Sequence, residues 1–132
     1  MMDPEALAVD WLTSQLPGVR VVVDLPACFD ESLPVARVSC IGGAGQWQPW
    51  NPGATPLARE ARIDVDVFAA RREQAADLAV QVSNLLFAIR GHASQWGRVS
   101  AIRQESGPAW RPDYNPSVRR FGLTSVLTIR PA

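Results

Sequence analysis

Arg62-Ile63-Asp64-Val65-Asp66-Val67-Phe68-Ala69 is the stretch that decides the fold. Ile63, Val65 and Val67 alternate with Arg62, Asp64 and Asp66, the period of a strand with one apolar and one charged face. A strand is predicted over residues 59–69. Directly after it the period changes. Ala75, Leu78, Ala79, Val82, Leu85, Leu86 and Ile89 fall on one helical stripe, and Arg72, Glu73, Asp77 and Gln81 lie outside it. A helix is predicted over 71–89, stopped by Gly91. A strand with one apolar face followed by a helix with one apolar stripe calls for a layered α+β packing.

Outward toward the N-terminus, Val35–Ile41 reads as a strand with Ala36, Val38 and Cys40 on one face, broken by Gly42-Gly43. Residues 27–34 read as a loop. Val19–Asp24 is a short β-branched strand. Asp3 caps a first helix with Pro4 at its start and Glu5 in its positive first turn. Leu7, Ala8, Trp11, Leu12 and Leu16 form its apolar face, and Pro17-Gly18 ends it. Outward toward the C-terminus, residues 98–105 and 121–129 read as two more strands, the last with Phe121, Leu123, Leu127 and Ile129 inward. The expected order is α-β-β-β-α-β-β. It describes a single α+β domain over residues 1–132, a mixed or antiparallel sheet packed by two helices.

Bulk composition narrows the chemistry. With 132 residues and 47% hydrophobic content, the chain can bury a core. Its formal net charge is zero, which argues against a free-standing nucleic-acid binder. All 13 basic residues are arginine, so a phosphate loop that needs lysine, a Schiff base and pyridoxal attachment are excluded. Arginine codons are GC-rich, which is sufficient reason for the bias. Cys28, Cys40 and the lone His92 have no zinc-site spacing. No cofactor or metal is expected. No signal peptide and no bilayer-spanning apolar run is visible, so synthesis in the cytoplasm with reduced thiols is expected.

Several motifs invite a catalytic reading. Gly42-Gly43-Ala44-Gly45 follows a strand, but no helix begins after it to bind an anion. It opens a loop running to Pro56 that holds Trp47 and Trp50. Asp64 and Asp66 share one strand face at roughly 6–7 Å between Cα atoms, with no further carboxylate or histidine cluster. The expected role is pairing, with Arg62 or with arginines across a subunit boundary. His92 precedes Ser94 in a loop without a nucleophile elbow, and an exposed histidine is expected. No enzyme is expected; a small hydrolase or a monomeric binding module are the competing readings from other classes.

The segment Gly107 to Val118 is rich in Pro, Trp and Tyr and reads as a rigid loop feeding the last strand through Arg119-Arg120. Aromatics and arginines on a stiff loop suit a protein–protein contact. The expected interface residues are Trp47, Trp50, Asp64, Asp66, Trp110, Arg111, Tyr114, Arg119 and Arg120. Of the five tryptophans only Trp11 reads as core.

Taken in order, four pieces resemble the tail terminator proteins of phages with long non-contractile tails, also called minor tail or tail completion proteins. They are the first helix with Leu16-Pro17-Gly18-Val19, the strand end Arg37 to Gly43, the unit Ile63 to Ala70, and the closing Gly107–Arg130 segment. The resemblance implies a virion protein at the head-proximal end of the tail. It implies a self-assembled ring, usually hexameric, that stops tube growth and offers the head-joining surface. The implied partners are further copies of the chain, the major tail tube protein and the head-tail connector protein, with DNA passing through the lumen unbound and no membrane involved. A head-tail connector, or head completion, protein of the neck is the alternative.

Overall fold

The computed structural model describes residues 2–43, 46–47 and 57–131. Trp50 and most of the loop leading to Pro56 lie outside the described residues; of Trp47 the backbone alone is described. The elements are α1 (Pro4–Gln15), β1 (Arg20–Val22), β2 (Val35–Cys40), β3 (Gln46–Trp47), β4 (Ala58–Ala69), α2 (Arg72–Phe87), β5 (Ala93–Ser94), β6 (Gly97–Trp110) and β7 (Arg119–Arg130). The α+β class is as expected. The order gains two strands, β3 and β5, each two residues long and too short to show alternation in sequence.

The strands form one mixed sheet in the order β1-β2-β4-β7-β6-β5, with β3 also paired to β4. Among the described residues β1 and β2 run parallel and the other pairs run antiparallel. β4 and β7 pair along their whole length, from Arg59 opposite Ile129 to Ala69 opposite Arg119. That register puts Ile63, Val65 and Val67 beside Leu123, Leu127 and Ile129 on one face, all fully buried. Period-2 alternation leaves no choice of register here, because a slip of one residue would put aspartates into the core.

Both helices lie on that apolar face. α2 packs across β4, β7 and β6, and α1 packs on β1, β2 and α2. Leu7, Ala8 and Leu12 of α1 and Ala75, Ala79, Val82 and Leu86 of α2 are buried against it. The Asp3 carboxylate accepts from the Ala6 N–H at 3.1 Å, the expected N-cap. Trp11 packs at the rim of the core and its Nε1 donates to the Leu85 carbonyl at 2.8 Å, tying α1 to the end of α2.

Three expectations need correction. His92 is half-buried rather than exposed, with its ring 4.9 Å from that of Trp11. Trp96 also packs onto the core. The supposed loop from Gly107 is strand as far as Trp110, so the connecting loop is 111–118 alone. The β6–β7 register shifts between Ser106 and Ala109, which lets the chain pass Pro108 without breaking the ladder. Proline is tolerated there because β6 has no strand on its other side beyond the short β5 pairing, among the described residues.

Candidate functional site

The charged face of β4 lies opposite the helices. Register places Asp64 between Ser39 of β2 and Thr124 of β7, and Asp66 between Arg37 of β2 and Gly122 of β7. The missing side chain at Gly122 opens a slot beside Asp66. The Arg111 guanidinium fills it, so close that a Cβ on Gly122 would collide with it.

Arg111 joins both carboxylates. Its Nη1 donates to Asp64 Oδ2 at 2.9 Å and to Asp66 Oδ1 at 2.8 Å, and its Nη2 donates to Asp64 Oδ1 at 3.0 Å. Arg120 grips Asp66 with two bonds of 3.0 Å, through Nε and Nη2. Arg37 Nη2 adds a third arginine to Asp66 at 2.6 Å. The Thr124 hydroxyl donates to Asp64 at 2.8 Å. Fork-to-carboxylate geometry of this kind is the strong form of ion pairing.

Asp66 is 2% exposed, and its ionisation is a contest. Burial is the largest single influence and pushes its pKa up. Hydrogen bonds from Arg120, Arg37 and Arg111 together outweigh burial and hold it below the ordinary carboxylate value. Arg111 is shifted up, first by its bonds to Asp64, against the opposing effect of its own burial, and further by Asp66. Every oxygen of both aspartates accepts a hydrogen bond, so neither carboxylate is presented as a general base or an open metal ligand.

The same contacts fasten the 111–118 loop. Backbone bonding continues from the Arg111 N–H to the Arg120 carbonyl at 2.9 Å. Inside the loop, Asp113 accepts from the Asn115 N–H and Asn115 accepts from the Ser117 N–H, both at 2.9 Å. These are side-chain turns that fix the backbone locally. Asn115 also reaches Asp30 of the 3₁₀ turn Phe29–Glu31 at 3.4 Å. That turn lays Phe29 edge-on to Phe68 at 5.1 Å, which buries Phe68 although it lies on the charged face. Arg119 Nη1 caps the carbonyls of Pro116 and Val118 at 3.1 and 3.2 Å.

The structure therefore brings Asp64, Asp66, Arg111 and Arg120 together within one chain. The sequence pairs these aspartates with Arg62 or with arginines across a subunit boundary; within the chain they pair with Arg37, Arg111 and Arg120. Arg62, offered as their partner, bonds Glu105 at 2.7 Å. Trp110 stands apart on the helix side, 5.7 Å from Phe121, with the Arg72 guanidinium 6.0 Å above its ring. Tyr114 at the loop's tip touches none of this and is fully exposed. Arg37, Thr124 and Gly122 were missed. Arg37 carried a faint signal, a charge between Ala36 and Val38 within an apolar strand.

No family model and no curated protein matches this sequence. Among solved structures, a chain from the virion of a native gene transfer agent particle has the same fold. The likeness has a TM-score of 0.66, covers 96% of this chain and 94% of that chain, and comes with 16% sequence identity. At that identity, what is common to the two is the α+β arrangement of sheet and helices across their lengths.

Proposed function

We propose that the protein is a structural component of a virion and that its copies close into a ring, probed first as a hexamer, at the head-proximal end of a phage tail. The ring ends growth of the tail tube and offers the surface joined by the head connector. The observation that carries this reading is the end-to-end likeness to a chain of a gene transfer agent virion. Three further features fit it. The paired aspartates serve as anchors for arginines rather than as reagents. A rigid loop lifts an aromatic side chain into solvent. The zero net charge suits a lumen through which DNA slides without being held.

A heterologous contact whose rotation closes gives a ring without free circumferential ends. Such a ring must match the tube on one side and refuse another tube subunit on the other. The test is electron microscopy of particles from a phage lacking this gene. Tubes of uncontrolled, excess length are expected. Tails of normal length that fail to attach heads would instead assign the protein to the neck, and normal infectious particles would overturn both roles.

A further inference from the structure

Building on the reading of the chain as a ring-forming subunit, we infer that Tyr114 is a knob that seats in the hollow beside the start of α2 on a neighbouring copy of the same chain. Tyr114 is 106% exposed relative to a free residue, while the loop around it is fixed at both ends. Arg111 is held by two carboxylates at one end and Val118 is buried at the other. Pro112 and Pro116 limit the backbone between them. A tyrosine has few rotatable bonds and here sits on backbone already ordered, so docking it costs little further entropy. A whole aromatic ring left in water on a stiff support is the form of a contact anchor.

The same chain carries a counterpart elsewhere. Pro34 and Leu78 line an open hollow of about 320 Å³ together with Gln74 and Gln81 and the charged Arg71, Glu73 and Asp77. That is at the low end of the roughly 300–1,000 Å³ typical of small-ligand sites and is room for a single aromatic side chain. A buried phenol needs a hydrogen-bond partner, and the glutamine amides and the Asp77 carboxylate supply acceptors. Charges also match. Arg119, at the exit of the Tyr114 loop, has no carboxylate partner within 4 Å among the described residues, and neither has Asp77 at the hollow's rim. A projection and a recess at different places on one chain define a head-to-tail contact, the kind that repeats around a ring.

Sedimentation of the full chain tests this with two variants, Tyr114→Ala to remove the knob and Gln81→Trp to fill the hollow. Both positions are exposed, and unchanged thermal melting is the control for folding. Each variant alone should self-associate about 30-fold more weakly than the parent chain, the loss expected for a tyrosine anchor. An equimolar mixture retains one intact knob and one intact hollow per two chains, so it should form 1:1 pairs and nothing larger. Self-association of Tyr114→Ala at the parent level overturns the inference. So does a parent chain that stays monomeric at its highest soluble concentration. If Tyr114→Ala still self-associates but no longer binds tail tubes, the knob serves the tube and the self-docking is overturned. Tail length in the gene deletion is read separately, so a capping role can fail while the knob stands, and the reverse.

Discussion

On the helix side of the sheet, Ile63, Val65 and Val67 are closed over by α1 and α2 through apolar contact. One residue along the same strand, Asp64 and Asp66 are closed over by three arginines, a threonine and a loop. The first kind of burial is non-directional and tolerant: any set of side chains of the right volume can supply it. The second is directional and brittle, because it depends on every oxygen finding its donor. The helix side holds the domain together. The opposite side orients one loop. The contrast recurs within the charged face itself: Arg62 and Glu105, bonded at 2.7 Å, are both about a third exposed, and water screens that pair as it cannot screen Asp66.

The helix side is expected to give the larger response. Leu127 is fully buried on the helix-facing side of β7, within the apolar core. Leu127→Ala should cost about 2–5 kcal/mol, the range for a leucine removed from a packed interior. Denaturant titration reads this as a lower midpoint at unchanged slope. A cost under about 1 kcal/mol would mean that the core collapses around the gap and that the two faces differ less than their contacts indicate.

Asp66→Asn should come next, at about 2–3 kcal/mol. Removing a buried partner costs about 3–5 kcal/mol when the charges left behind are sealed in. Here Arg37, Arg111 and Arg120 keep 24–30% of their side chains exposed, so water recovers part of the loss. The pH dependence sharpens the comparison. The folded pKa of Asp66 lies below its unfolded value of about 3.9, so the contribution is complete above that value and is lost as pH falls through the folded pKa. The parent chain should therefore lose its advantage over Asp66→Asn below about pH 4, whereas the deficit of Leu127→Ala should stay constant with pH. Parallel pH profiles for the parent and Asp66→Asn would remove Asp66 from the stability of the fold.

The helix side was legible in sequence because its signals are local. Alternation at Ile63, Val65 and Val67, the stripe from Ala75 to Ile89 and the Asp3 cap each need only a short window. The charged side was half legible. Asp64 and Asp66 stood out as a pair, and Arg111 and Arg120 as contact residues. That they meet one another depends on β4 lying between β2 and β7, which no local window reveals. Pro108 misled for a related reason. It marks a loop in most contexts, and only the open side of β6 makes it compatible with a strand. Strands β3 and β5 escaped because two residues carry no period. The glycine opposite Asp66 looked like any other small residue in a strand.

Gly122 gives the smallest of these effects and the finest test. Its backbone is not in a left-handed conformation, so alanine is acceptable to the chain itself and any cost comes from the neighbour. That neighbour is the Arg111 guanidinium, which cannot retreat without giving up Asp64 or Asp66. Gly122→Ala should cost about 1–2 kcal/mol, in the range of overpacking, and should speed amide exchange at Asn115 and Ser117, whose N–H groups are bonded inside the loop. If the collision is the cause, the same substitution made in an Arg111→Ala background should be almost neutral, because the slot is then empty. The coupling between the two positions would measure how firmly the charged face grips its loop. Additive costs would place the effect in the strand backbone, and the loop would then owe its order to Asp113, Asn115 and the prolines rather than to the carboxylates.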